Sequence, residues 1–186
     1  MHSSKHPVND RLQAALDYLR RGWSVLAFQP HAKRPLTPWR SLQSKHASAD
    51  SVRQWFERVP DANVGLVTGA VSGLVVVDID ARHGGPASLA QLEAQHGPLP
   101  ATLEAITGGG GRHLYFRHPS LRLTNRVGLL PGIDFRGDGG CIVAPPSIHP
   151  SGRPYVWVPG RGPGEVALAP MPVWLLDLAR GAPARA

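Results

Sequence analysis

The spacing of hydrophobic positions changes period partway along the chain. In residues 9–21, Leu12, Leu16 and Leu19 fall at i, i+4 and i+7, one face of a helix that Asn9 can cap and Gly22 can end. Residues 23–28 read as a short apolar strand broken by Gln29-Pro30, and the segment 31–40 (HAKRPLTPWR) is a basic loop punctuated by proline. A second helix is predicted from a cap at Ser48 or Asp50 to Val59, with Val52, Trp55, Phe56 and Val59 inward and Pro60 as its stop. Beyond it the period shortens to two. Residues 64–68, 74–80 and 103–107 are β-type runs with a helix over 87–95, and 112–117, 133–136 and 141–144 are further strands. Residues 155–158 should pair with 141–144 through the turn at 149–154, and a last helix over 173–180 should end at Gly181 before a frayed tail.

The pattern is that of an α+β chain with a mostly antiparallel sheet, and its 186 residues suit one domain. With 21 glycines and 19 prolines, short strands and turns are favoured over a helical bundle. Hydrophobic residues make up 42%, enough for a real core. Charge adds a direction: 20 Lys and Arg against 13 Asp and Glu, a net +7, favours a polyanionic partner. The one cysteine, Cys141, excludes an internal disulfide framework and any cysteine-built zinc site. The polar start MHSSKHPVND has no apolar secretory core, and no apolar run reaches the ~20 residues of a membrane span, so a cytoplasmic protein without a membrane partner is expected.

Three segments carry candidate chemistry. In LVVVDID (74–80), Asp78 and Asp80 lie two apart on a strand, side by side on one face, and paired carboxylates call for a proton or a hard divalent cation. A strand leaving into solvent through two turn-forming aspartates is the plain alternative. In TGGGGRHLYF (107–116), four glycines let a backbone nest approach an anion, and alternation puts Leu114 and Phe116 in the core with His113 and Tyr115 opposite. A flexible loop before a surface histidine would look the same. In GIDFRGDGG (132–140), Ile133 and Phe135 face inward, so Asp134 and Arg136 share the other face as a third carboxylate and a phosphate clamp, while Asp138 reads as a turn residue. Together these groups form a metal-plus-triphosphate constellation. No GxxxxGK[ST] loop for an ATPase motor is present.

The order of GLVTGAVSGLVVVDID (65–80), GGGGRHLYF (108–116) and GIDFRGDGGCIVAPPS (132–147) resembles the bifunctional primase/polymerase N-terminal domain of the archaeo-eukaryotic primase superfamily. The Gly22-Trp23 pair, the loop from Lys33 to Trp39 and the helix with Trp55 fit its N-terminal module, so the likeness runs from about residue 10 to 160, with a C-terminal helix and tail over 161–186. The resemblance implies an RRM-like antiparallel catalytic sheet with an N-terminal α/β module packed on it. It implies Asp78, Asp80 and Asp134 as ligands of two Mg²⁺ or Mn²⁺ ions, with no zinc expected. His113, Arg112, Arg136 and the backbone of Gly109, Gly110 and Gly111 would hold the nucleotide, and Lys33 and Arg34 are candidate phosphate or template contacts. Many relatives carry serine where Gly111 stands. The implied activity is template-dependent transfer of nucleotides by a DNA primase/polymerase in plasmid, phage or mobile-element replication. Its partners would be single-stranded DNA, a primer and dNTP or NTP, with a separate helicase as a further candidate. A non-catalytic DNA-binding module and a metal-dependent phosphoesterase are the competing readings.

Overall fold

Capping chemistry sets the first element. In the computed structural model, which describes residues 9–181, the Asn9 side chain accepts from the amides of Arg11 and Leu12 and starts α1 (Asp10–Arg20). Then come β1 (Val25–Phe28), α2 (Ala49–Arg58), β2 (Asn63–Val67), β3 (Leu74–Ile79), α3 (Gly85–His96), β4 (Leu103–Ile106) and β5 (Arg112–Arg117). The chain continues through β6 (Arg126–Leu130), β7 (Ile133–Arg136), β8 (Cys141–Val143), β9 (Val156–Trp157), β10 (Ala169–Pro170) and α4 (Val173–Arg180). Ser48 is the α2 cap, accepting from the Ser51 amide, and Gly181 closes α4 at φ 73°. The predicted tail at 182–186 lies outside the described residues. Among the described residues no helix is long and apolar enough to cross a membrane.

The strands form two sheets, and the fold is α+β. β1, β2 and β8 make a three-stranded antiparallel sheet. The larger sheet runs β6-β7-β3-β5-β4-β9, with the short β10 parallel to the end of β5. Its inner order, β7-β3-β5-β4 with α3 between β3 and β4, is the RRM arrangement. The chain between β5 and β7 holds β6 rather than a second helix; α4 instead comes from later in sequence and packs against the same face.

Both faces of the large sheet are buried, which changes one expectation. Val75, Val77, Ile79, Leu114 and Phe116 pack against α3 and α4. The opposite face, with Leu74, Val76, Leu103, Ala105 and Tyr115, joins Ala15, Tyr18, Val52 and Phe56 of the N-terminal helices in one cluster. Tyr115, expected on a polar face, is therefore wholly buried, because α1 and α2 cover that side. A second correction concerns residues 155–158. β9 pairs with β4, Trp157 opposite Ala105, and not with β8. Aromatic burial fixes this: the Trp157 ring lies 5.0 Å from that of Tyr115, and its indole N–H donates to the Tyr18 hydroxyl at 3.0 Å.

Candidate active site

Register builds the centre of the site. Asp78 on β3 stands directly opposite Asp134 on β7 and directly opposite His113 on β5, so three polar side chains form a row across three adjacent strands. Asp78 and His113 of this row floor a cleft between the two sheets, and Asp134 stands beside it, joined to it through Arg136. One side of the cleft, a cavity of about 210 Å³, is walled by Phe28, Ile142, Val143 and Tyr155, with Arg136 and Cys141. The other side is polar and is lined by Asp80, Arg82, Thr107, Gly109, Gly111 and His149. Asp78, His113 and Lys33 border both.

Asp78 is held as an anion. Burial alone would raise its pKa, but the bond to His113 and the charges of His113, Arg136 and Lys33 outweigh burial and pull it below the usual carboxylate range. His113 Nε2 lies 3.4 Å from Asp78 Oδ1, and Arg136 Nη2 lies 3.7 Å from Asp78 Oδ2. The same Arg136 nitrogen is 2.7 Å from Asp134 Oδ2, while Asp134 Oδ1 accepts from the Gly128 amide at 2.7 Å. A guanidinium thus stands between two facing carboxylates, where their charges demand a cation. His113 is buried and its Nδ1 has no hydrogen-bond partner among the described residues.

Asp80 shares the cleft with Asp78 but not its strand. β3 ends at Ile79, and Asp80 caps the 3₁₀ turn Ala81–His83, accepting from the Arg82 amide at 2.8 Å. His83 Nδ1 lies 2.7 Å from its other oxygen; these bonds, the His83 one foremost, lower the Asp80 pKa. Among the described residues, no three His, Cys, Asp or Glu side chains gather closely enough to form a ready-made metal cage. The facing pair Asp78 and Asp134, bridged by Arg136, nevertheless has the donor chemistry for a hard cation.

Other expected residues sort by position. Arg112 is a correction: it projects from the face of β5 opposite His113, where its Nε donates to Glu104 Oε1 at 2.6 Å, and Glu104 Oε2 also takes Arg161 at 3.0 Å. That ion-pair network keeps Arg112 out of the cleft. Lys33 reaches both halves of the cleft; the exposed Arg34 borders neither. Asp138 accepts from the Ala70 and Leu123 amides and lies 3.1 Å from His118 Nε2, a turn-stabilising role rather than a place in the row. Cys141 stays a neutral thiol, since burial pushes its pKa up to about 11.

The glycine loop closes on itself. Thr107 accepts the Gly110 amide on its carbonyl and the Gly111 amide on its hydroxyl, at 2.8 and 3.0 Å, with Gly110 at φ 87°. Gly111 is packed so tightly that a Cβ there would overlap the Ile79 carbonyl oxygen of β3. Gly111→Ser should therefore supply no useful hydroxyl. It should instead destabilise the fold by about 2–4 kcal/mol, a fall in Tm of roughly 5–15 °C. A thermal melt within about 2 °C of the parent would show that the loop can yield. Arg82 and His149, which line the polar half of the cleft, were not singled out as ligands from sequence; the histidine sits within the segment 149–154, which reads only as a turn.

No curated protein matches the chain. A family model does match, that of the bifunctional DNA primase/polymerase N-terminal domain, over residues 15–174, which takes in both sheets and the whole cleft. The chain belongs to this family, and so to the nucleotidyltransferases of primase/polymerase type that act on nucleotides and nucleic acid.

Proposed function

We propose that the chain extends a nucleic-acid strand on a single-stranded DNA template, drawing nucleoside triphosphates into the cleft between its sheets. The observation that carries this reading is the row Asp134–Asp78–His113 with a cation-demanding gap between its two carboxylates. Asp78 and Asp134, with Asp80 at the mouth, are the residues that would hold Mg²⁺ or Mn²⁺. Such ions, when bound, make the primer 3′-hydroxyl a better nucleophile and neutralise charge on the leaving diphosphate.

The protein's own groups do the rest. His113 holds one oxygen of Asp78 in place and presents its ring edge to both halves of the cleft. Arg136 and Lys33 bring positive charge to the phosphates, in a site partly screened from water where such charge counts for more. The apolar wall of Phe28, Val143 and Tyr155 suits a sugar and base, and the glycine side suits phosphates. The net charge of +7 favours a template held through its backbone. A role in replicating a plasmid, phage or other mobile element, beside a separate helicase, fits this chemistry.

The test is incubation with a primed single-stranded template, labelled deoxynucleotides and Mn²⁺. Stepwise lengthening of the primer is the expected result. Shortening would make the chain a phosphoesterase, and DNA binding without either change would make it a non-catalytic module.

A further inference from the structure

Asp134 has a neighbour on the side of β7 away from Asp78. β6 and β7 pair at Arg126 with Phe135 and again at Leu130 with Ile133, so four steps along β6 match two along β7. The surplus residues bulge opposite Asp134, and Gly128 in their middle has φ 66°. Its amide donates to Asp134 Oδ1 at 2.7 Å. Leu129 and Leu130 pack against the core beneath α3 and α4 and anchor the strand beyond the bulge, while Arg126, Val127 and Gly128 are exposed.

An amide on an exposed edge strand ordinarily meets water, but this one is turned onto a carboxylate. The two facing acids are thereby held alike. Asp78 has Oδ1 toward His113 and Oδ2 toward Arg136, and Asp134 has Oδ1 on the Gly128 amide and Oδ2 on Arg136. One oxygen of each carboxylate is tethered from the side, and the other faces the gap between the two strands. A carboxylate without a tether turns about its Cβ–Cγ bond, and an ion would have to order it on binding. A Cβ at position 128 would meet nothing within 4 Å, so glycine is demanded there by backbone conformation and not by space.

We propose that Gly128 is a positioning residue for Asp134, the bulge of β6 presenting its amide so that Asp134 Oδ2 is aimed at a divalent cation in the gap. The inference rests on the nucleotide-transfer reading and its metal ions, and assigns the backbone group that orients one of their carboxylates. An amide suits this place because, unlike a second guanidinium, it carries no full charge to repel the ion. The left-handed turn at Gly128 is what aims it, since the strand on either side is fixed by its pairing with β7.

The experiment compares Mn²⁺ binding by electron paramagnetic resonance, without nucleotide or nucleic acid, in the parent, Gly128→Val and Gly128→Asn. Both side chains enter open space, but valine resists the left-handed conformation and asparagine accepts it. Gly128→Val should weaken Mn²⁺ binding about tenfold, and Gly128→Asn should stay within about threefold of the parent. Hydrogen exchange without added metal reads the bond itself: the Gly128 amide should be protected in the parent and exchange at least about tenfold faster in Asp134→Ala. Equal Mn²⁺ affinity in the parent and Gly128→Val, an equal loss in both glycine variants, or a Gly128 amide that exchanges alike with and without the Asp134 carboxylate would each overturn the inference. No Mn²⁺ binding by the parent would overturn it together with the metal-ion reading. The expected pattern with no primer extension by the parent would uphold it and remove the strand-extension reading alone.

Discussion

Asp78→Asn should lower nucleotide incorporation by about a thousandfold or more, roughly 4 kcal/mol of transition-state stabilisation, while the domain stays folded. Asp78 is the middle member of the row, opposite Asp134 across one strand pair and opposite His113 across the other, and it alone of the three acids borders both halves of the cleft. Its environment is built to keep it charged: His113, Arg136 and Lys33 together overcome the burial that would protonate it. Asparagine keeps the shape, so only the charge is lost. The same change at Asp138 should act differently. That carboxylate accepts two backbone amides and neighbours His118, so Asp138→Asn should cost stability before it costs turnover. Single-turnover extension of a labelled primer, beside a thermal melt, separates the two. Turnover of Asp78→Asn within tenfold of the parent would remove Asp78 from the reaction.

Much of this architecture is legible in local sequence, because caps and alternation act over short distances. Asn9, Ser48 and Gly181 mark helix ends that the structure has. The alternation of β5 and β7 gives the correct inward residues, Leu114, Phe116, Ile133 and Phe135. It also sends Arg112, which shares the parity of Leu114, to the face away from His113; only its place in the motif suggested a nucleotide contact, and Glu104 decides otherwise. What sequence hides is long-range. Val156 and Trp157 have no local feature that selects β4, since the choice is made by Tyr18 and Tyr115 closing on the indole. Asp80 keeps strand spacing from Asp78, yet the amide of Arg82 and the ring of His83 turn it into a cap. His149 lies 40 residues beyond the glycine loop and joins the cleft only through the fold.

Arg136→Ala should change metal and nucleotide affinity in opposite directions. One Arg136 guanidinium nitrogen sits 2.7 Å from Asp134 and 3.7 Å from Asp78, in the gap that a divalent ion would need. An entering ion must displace that guanidinium, so the arginine is a built-in competitor for the carboxylates. A partly buried pair of this kind holds on the order of 1 kcal/mol, and its removal should tighten Mn²⁺ binding about fivefold. Displaced from the carboxylates, Arg136 remains beside the cleft and is free to meet a phosphate; losing that charge-assisted contact should raise the nucleotide KM roughly ten- to a hundredfold. The apo variant should also melt lower, because Asp78 and Asp134 then face each other without a cation, and Mn²⁺ should restore more of its Tm than it adds to the parent. Free Mn²⁺ followed by electron paramagnetic resonance, in the absence of nucleotide, gives the first quantity, and steady-state extension gives the second. Weaker Mn²⁺ binding in the variant would mean that Arg136 orients the carboxylates for the ion rather than standing in for it, and an unchanged KM would mean that the displaced side chain never reaches the phosphates.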